Sequence, residues 1–230
     1  YLGKIFVPVL TPLISNPKGY RMLESVERGM SVASLWLAKR AIFSEKEIGE
    51  FLSDIIFSQV ESENNYQRIQ SVLGAAQAEP LREVSALEQQ VYMHDQLLRD
   101  TDVMSMAHSL EVRLPMISKE IVETVALLSP RWIWKKGPKW ILKDWLAQKG
   151  FDGFFDRPKQ GFTLNWSEIL KSHFKKGNLD WDSTVFNVEK IKDEKALFLR
   201  GRRQYARIFS LMSVQNKINS STCTPQIAHK

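Results

Sequence analysis

The chain has 230 residues, 43% hydrophobic and 25% charged, enough for one substantial core or one and a half ordinary domains. Its longest apolar runs, such as Ile5–Leu10 and Ile55–Phe57, fall far short of a bilayer span. No charged stretch followed by an apolar block marks a secretory signal, and a lone cysteine, Cys223, allows no intrachain disulfide. A cytoplasmic protein is expected, and Cys223, in a polar tail, reads as a stray thiol rather than a nucleophile.

Charge is uneven along the chain. Residues 1–130 carry 12 basic and 17 acidic side chains, a net of −5, whereas residues 131–230 carry 20 and 9, a net of +11. A half that basic calls for an anionic partner (a nucleotide, a nucleic acid or the acidic half of the same protein) or a well-solvated face.

Pro8, Pro12, Pro17, Gly3 and Gly19 crowd the first 20 residues, which read as an irregular connector. Met22, Val26, Met30, Ala33 and Leu37 then recur at helical spacing. Ser44 with Glu47 forms a capping box ahead of Ile48, Phe51, Leu52, Ile55 and Ile56. Tyr66, Ile69, Val72 and Leu73 predict a short helix ended near Gly74. Ser85 and Glu88 repeat the capping box and open a longer helix through Leu98. Ile121, Val122, Val125 and Leu128 predict another, stopped by Pro130.

Pro138 suits the first turn of a helix bearing Ile141, Leu142, Trp145 and Leu146, with Gly150 closing it. Residues 151–163 read as a loop. Trp166, Ile169, Leu170 and Phe174 return to helical spacing, and a basic helix is expected from about Leu197 to Ile218. No strand pattern is sustained anywhere. The expected organisation is therefore mainly α: a connector over 1–20, a helical domain over 21–218 and a disordered tail over 219–230. The six tryptophans from Trp132 to Trp181 read as core anchors.

Two segments carry chemistry. Asp102 to Pro115 reads Asp-Val-Met-Ser-Met-Ala-His-Ser-Leu-Glu-Val-Arg-Leu-Pro, with Asp100 just before it. Asp100, Asp102, Glu111 and Arg113 stand among apolar residues, and buried charge is costly unless paired or used. Internal ion pairing, for example Glu111 with Arg113, is the plain structural reading. The second segment is Arg157-Pro158-Lys159-Gln160-Gly161-Phe162. Its proline and glycine fix a turn, and a lysine on a rigid turn is a point charge suited to phosphate oxygens. Here the plain reading is a solvent-facing loop, against which stand the flanking Phe154, Phe155 and Phe162. His94 and His108 are fourteen residues apart without a nearby cysteine, so no metal pair is expected.

Together these segments resemble the synthetase domain of glutamine-dependent asparagine synthetases, in order and at a plausible distance. Phe43-Ser44 with its acidic helix, and the Lys139-to-Leu146 helix, are similar to family segments as well. The resemblance implies the helical C-terminal portion of an α/β adenine-nucleotide-binding, PP-loop ATPase-like domain. That domain adenylates a carboxylate such as aspartate with ATP and lets glutamine-derived ammonia attack it. It implies that Lys159 stabilises negative charge in both steps, with Asp102, and more weakly Asp100, near the intermediate. Arg157 and Gln160 would orient the lysine, and Glu111 with Arg113 would hold the motif helix against the sheet. ATP and Mg are implied, held mainly by residues outside this chain, since neither a Ser-Gly-Gly-x-Asp-Ser loop nor an N-terminal cysteine is found. The partners implied are a small carboxylate, ammonia and the missing N-terminal domains; a homodimer is one arrangement open to the protein, and no membrane is expected.

The chain departs from the family where Met116-Ile117-Ser118 replaces Phe-Leu-Asp and where Asn165 replaces a common proline. Asp100 also stands where a basic residue is frequent. Two other functions are open to this sequence. Loss of the acid at Ser118 suits a non-catalytic scaffold derived from the enzyme. Arg200, Arg202, Arg203 and Arg207, placed on one basic helix, suit a nucleic-acid-binding module.

Overall fold

The computed structural model describes residues 16–59, 65–74, 79–151, 153, 164–177 and 179–222. In chain order the helices are α1 (Pro17–Glu27), α2 (Val32–Arg40), α3 (Glu45–Phe51), α4 (Asp54–Gln59), α5 (Asn65–Leu73) and α6 (Pro80–Leu87). A π-helical segment, Glu88–Leu98, joins α6 to α7 (Arg99–Met106). A 3-10 turn at Pro115–Ile117 leads to α8 (Lys119–Leu127), α9 (Pro130–Ile133) and α10 (Trp140–Gln148). The remaining helices are α11 (Trp166–Lys176), α12 (Val188–Leu199) and α13 (Tyr205–Thr222). The protein is mainly α, and its described residues form no strand beyond one antiparallel bridge, Leu52 with Phe186. None of its described helices is long and apolar enough to cross a membrane.

The chain divides into two compact units, Tyr1–Gln67 with Thr163–Lys230, and Arg68–Phe162. In the first, Phe51, Leu170, Phe174, Phe186, Ile191, Phe198, Ile208, Leu211 and Met212 form the core. The helical spacing of Leu170 with Phe174, Ile191 with Phe198, and Ile208 with Leu211 and Met212 delivers α11, α12 and α13 to that core. The capping box closes as its residues require. Ser44 Oγ accepts from the Glu47 N–H at 3.1 Å, and Glu47 Oε2 accepts from the Ser44 N–H at 2.9 Å. The corner after α3 is pinned to the segment before α12. Ser53 N–H donates to Val185 O, and Asn187 N–H to Phe51 O, both at 2.9 Å.

At the centre of this unit sits Arg207, 5% exposed. Its Nε donates to Glu194, one Nη to Glu47 Oε1 at 2.8 Å and the other to Ile42 O at 3.0 Å. Its guanidinium lies 4.3 Å from the Phe43 ring centroid. Each of its three nitrogens thus donates a hydrogen bond, two of them to carboxylates, which is how a charge survives burial.

The second unit buries far less. Ile69, Leu87 and Pro130 are buried, while α7, α8 and α10 keep most apolar side chains open. Arg82 ties α6 to the end of α8 by donating to Ala126 O at 2.9 Å and to Leu128 O at 3.2 Å.

Several elements differ from the sequence expectation. The Met22–Leu37 periodicity belongs to two helices, because Gly29 and Met30 adopt φ of 75° and 54° and turn the chain between α1 and α2. α1 starts at Pro17, inside the expected connector, with the Asn16 side chain accepting from Gly19 N–H. Ser85 caps nothing. It lies within α6, and its Oγ accepts from Gln89 Nε2. Pro138 precedes α10 instead of opening it, with Lys139 left-handed at φ 61°. Gly150 does follow the helix end with φ 81°. The expected basic helix is broken at Gly201, φ 72°, so it becomes α12 and α13. α13 runs on to Thr222; residues 223–230 lie outside the described residues. Of the six tryptophans expected as core anchors, Trp132, Trp134 and Trp145 are exposed and the other three half-buried.

Candidate functional site

The motif that starts at Asp102 occupies the end of α7 and the extended chain beyond it. α7 stops at Met106, and Ser109, with φ 57°, turns the chain out. Ser109 N–H reaches back to Met106 O, and Leu110 N–H to Ser105 O. Glu111 and Arg113 therefore lie past the helix, not on it. They do pair, at 2.8 Å, but are 73% and 84% exposed. The expectation that Asp100, Asp102, Glu111 and Arg113 are buried does not hold: all four are exposed. The neighbours that made them look buried are exposed too, from Leu114 at 43% to Met104 at 65%. Apolar composition was read as burial, whereas this stretch presents its apolar residues outward.

Asp102 borders an open cavity of about 610 Å³, lined also by Arg68, His94, Asp95, Leu98 and Arg99. Asp95 is its organising group. Its Oδ2 accepts from Arg68 at 2.6 Å, and its Oδ1 lies 2.8 Å from His94 Nδ1. The His94 hydrogen bond, helped by the Arg68 charge, holds the Asp95 carboxyl below the usual aspartate range. The cavity thus sets two guanidiniums, Arg68 and Arg99, beside two carboxylates. Asp102 and Leu98 are one helical turn apart, which is why both reach it, whereas Asp100, two positions away, faces elsewhere. The π-helical segment Glu88–Leu98 carries His94 and Asp95; such widened turns recur at functional sites.

Sequence reasoning did not single out Arg68, Asp95 or Arg99, and it weighed His94 with His108 as a metal pair and set that aside. The only signal was the mixed charge of His94-Asp95 on an otherwise apolar periodic stretch. Lys159, Arg157 and Gln160, with their flanking phenylalanines, lie outside the described residues. Ser118 stands at the start of α8, and Asn165 caps α11 by accepting from Glu168 N–H at 3.3 Å. His108 is exposed in the turn after α7. Among the described residues no three His, Cys, Asp or Glu converge as a metal-ligand set. The row of four arginines expected on one helix does not form. Arg200, Arg202 and Arg203 sit in the turn before α13, and Arg207 is consumed by internal ion pairs.

No curated protein and no solved structure gives a match to the chain. A family model described as Asparagine synthase matches residues 18–207, a span that runs from α1 to Arg207 and includes both chemical segments. The chain belongs to the asparagine synthase family.

Proposed function

We propose that the chain is the helical C-terminal part of a PP-loop ATPase-like α/β synthetase domain, acting in the cytoplasm. The whole enzyme adenylates a carboxylate, aspartate or a close relative, with ATP and converts it to an amide with ammonia drawn from glutamine. The observation that carries this reading is the family match over 18–207, which spans Asp102–Pro115 and Arg157–Phe162 in one frame. Family membership points to a ligase, and ATP is the family's energy source.

Within that reading Lys159 is the electrostatic catalyst. Negative charge grows on the departing pyrophosphate and on the oxyanion formed when ammonia attacks, and a fixed ammonium favours both over the ground state. Arg157 and Gln160 orient it. Asp102 stands in the vicinity of the intermediate, with Asp100, which does not line the cavity, as the weaker candidate. The cavity around Asp102 supports this assignment, because Arg68 and Arg99 beside it supply planar donors for a carboxylate or phosphate.

The exposed apolar row of Val103, Met104, Met106, Leu110, Val112, Leu114 and Met116 fits the same reading. It is the face on which the remaining part of the domain packs, and the Glu111–Arg113 pair sits within it.

The test is Lys159→Ala in the enzyme that carries this chain together with its ATP-binding part. Amide synthesis should fall by about 10²-fold or more, as when a transition-state donor is removed. Glutamine hydrolysis should persist. Synthesis at the unmodified rate would overturn the proposal.

A further inference from the structure

We infer that the cavity where α1, α2 and α3 meet is a hydration site, taking one or two water molecules that complete the hydrogen bonding of Glu45. The cavity has a volume of about 30 Å³. A single water needs roughly 10–15 Å³ of such space, so a pair of waters is the largest occupant. The charged part of its lining comes from Arg21 and Glu24 of α1, Arg28 just after α1 and Glu45 of α3.

The observation that asks for a ligand lies on Glu45. Its Oε2 accepts from Arg28 at 2.5 Å, whereas its Oε1 is buried and receives no hydrogen bond from any described residue. A buried carboxylate oxygen without a donor is costly, and such atoms nearly always find a partner. Nearby donors are already engaged. Arg21 spends Nε on Ala38 O and one Nη on Ile42 O, both at 3.0 Å. The Ser34 hydroxyl donates to Ser31 O at 2.9 Å, and the Lys46 N–H to Glu24 at 3.2 Å.

Charge decides what kind of molecule fits. A cation in the cavity meets two guanidiniums, and an anion meets two carboxylates. The charged lining sums to zero, so the occupant is neutral, and it has both to donate and to accept. Water does so by donating to Glu45 Oε1 and to Glu24 while accepting from a guanidinium, which makes about the three bonds typical of buried water. Leu37, Phe43 and Ile48 supply apolar wall around it. Burial pushes the Glu24 carboxyl up, against the Lys46 N–H and Arg28, as expected where bulk solvent is held away.

This inference is independent of the chemistry assigned to Lys159. The test is a crystal structure of the chain, paired with urea unfolding of two variants. Electron density should show an ordered water about 3 Å from Glu45 Oε1. A protein donor in that place would overturn the inference, as would a cation, revealed by anomalous signal after rubidium replaces sodium. Ala41 lines the cavity on extended backbone, φ −65° and ψ 145°, which a branched side chain adopts without strain. Ala41→Val would stabilise by filling a dry cavity, but here it displaces the water and strands Glu45 Oε1. The urea midpoint should therefore fall. In Glu45→Leu, which has no carboxylate to satisfy, the same replacement should leave the midpoint unchanged or raise it. Equal shifts in the two backgrounds, or a rise in the otherwise unmodified chain, would overturn the inference. The crystallographic result decides the matter even if Glu45→Leu fails to fold.

Discussion

Replacing Arg207 by methionine keeps most of the side-chain volume and removes the charge. Glu194, 5% exposed, then loses its main partner, and Glu47, 12% exposed, loses the guanidinium donor on its Oε1. Breaking a buried pair by removing one member costs about 3–5 kcal/mol, because the remaining charge stays desolvated. Two features moderate the loss. Arg203 Nε lies 3.4 Å from Glu194 Oε2, and Glu47 keeps the Ser44 N–H. A destabilisation of about 3 kcal/mol is therefore expected, at the lower end of that range. The assay is native-state hydrogen exchange of the α12 and α13 amides, which reports on this unit alone. Adding Glu194→Leu to Arg207→Met should recover part of the loss, since the most deeply buried carboxylate left without Arg207 is then gone, while Glu47 keeps its bond to the Ser44 N–H. A loss under about 1 kcal/mol for Arg207→Met, the size seen for exposed pairs, would refute the claim that this arginine is a buried structural centre.

Three further outcomes follow from local geometry. Ser44→Ala, which deletes half of the reciprocal cap on α3, should cost about 1 kcal/mol in urea unfolding. Burial holds the Glu24 carboxyl above the usual glutamate range, against the opposing Lys46 N–H and Arg28. A raised folded value means its stabilising contribution is full below the ordinary glutamate range and is lost as pH rises through the raised value. Glu24→Gln should therefore gain on the wild type in urea midpoint as pH rises from acidic to neutral; an unchanged difference would count against it. The Asp95 carboxyl, held low chiefly by His94 and then by Arg68, should titrate below ordinary aspartates in carbon-13 NMR. His94→Ala should move that titration upward.

Local chemistry was legible where one residue decides it. Ser44 with Glu47 announces the start of α3, and Gly74 and Gly150, both at positive φ, end α5 and α10 as read. The misses share a cause. Gly29 and Gly201 also sit at positive φ, but Gly29 falls inside an apolar period that runs unbroken through it, and Gly201 inside the basic run Arg200–Arg203 that reads as one face of a helix. Periodicity measures spacing along the chain and does not register a reversal. α12 went unread because a glutamate, Glu194, stands where the pattern asks for an apolar residue between Ile191 and Phe198. The distant Arg207, with Arg203, makes that glutamate a core residue, and pairing over nine or thirteen positions leaves no local trace. The cavity beside Asp102 was hidden for the same reason. Arg68 meets Asp95 across twenty-seven positions.

The motif itself shows the difference between recognising a segment and knowing its surroundings. Fourteen residues from Asp102 to Pro115 identify the family, and the family match confirms it. Their burial does not follow, because hydrophobic content states that a face wants cover, not that this chain supplies it. In the first unit the apolar positions of α11, α12 and α13 find one another and close a core. In the second, Val103, Met104 and Met106 on α7 and Leu110, Val112 and Leu114 beyond it find no such partner among the described residues. Two segments equally apolar in sequence therefore end in opposite environments. What separates them is whether complementary helices meet them among the described residues, a property of distant parts of the sequence that no window of it contains.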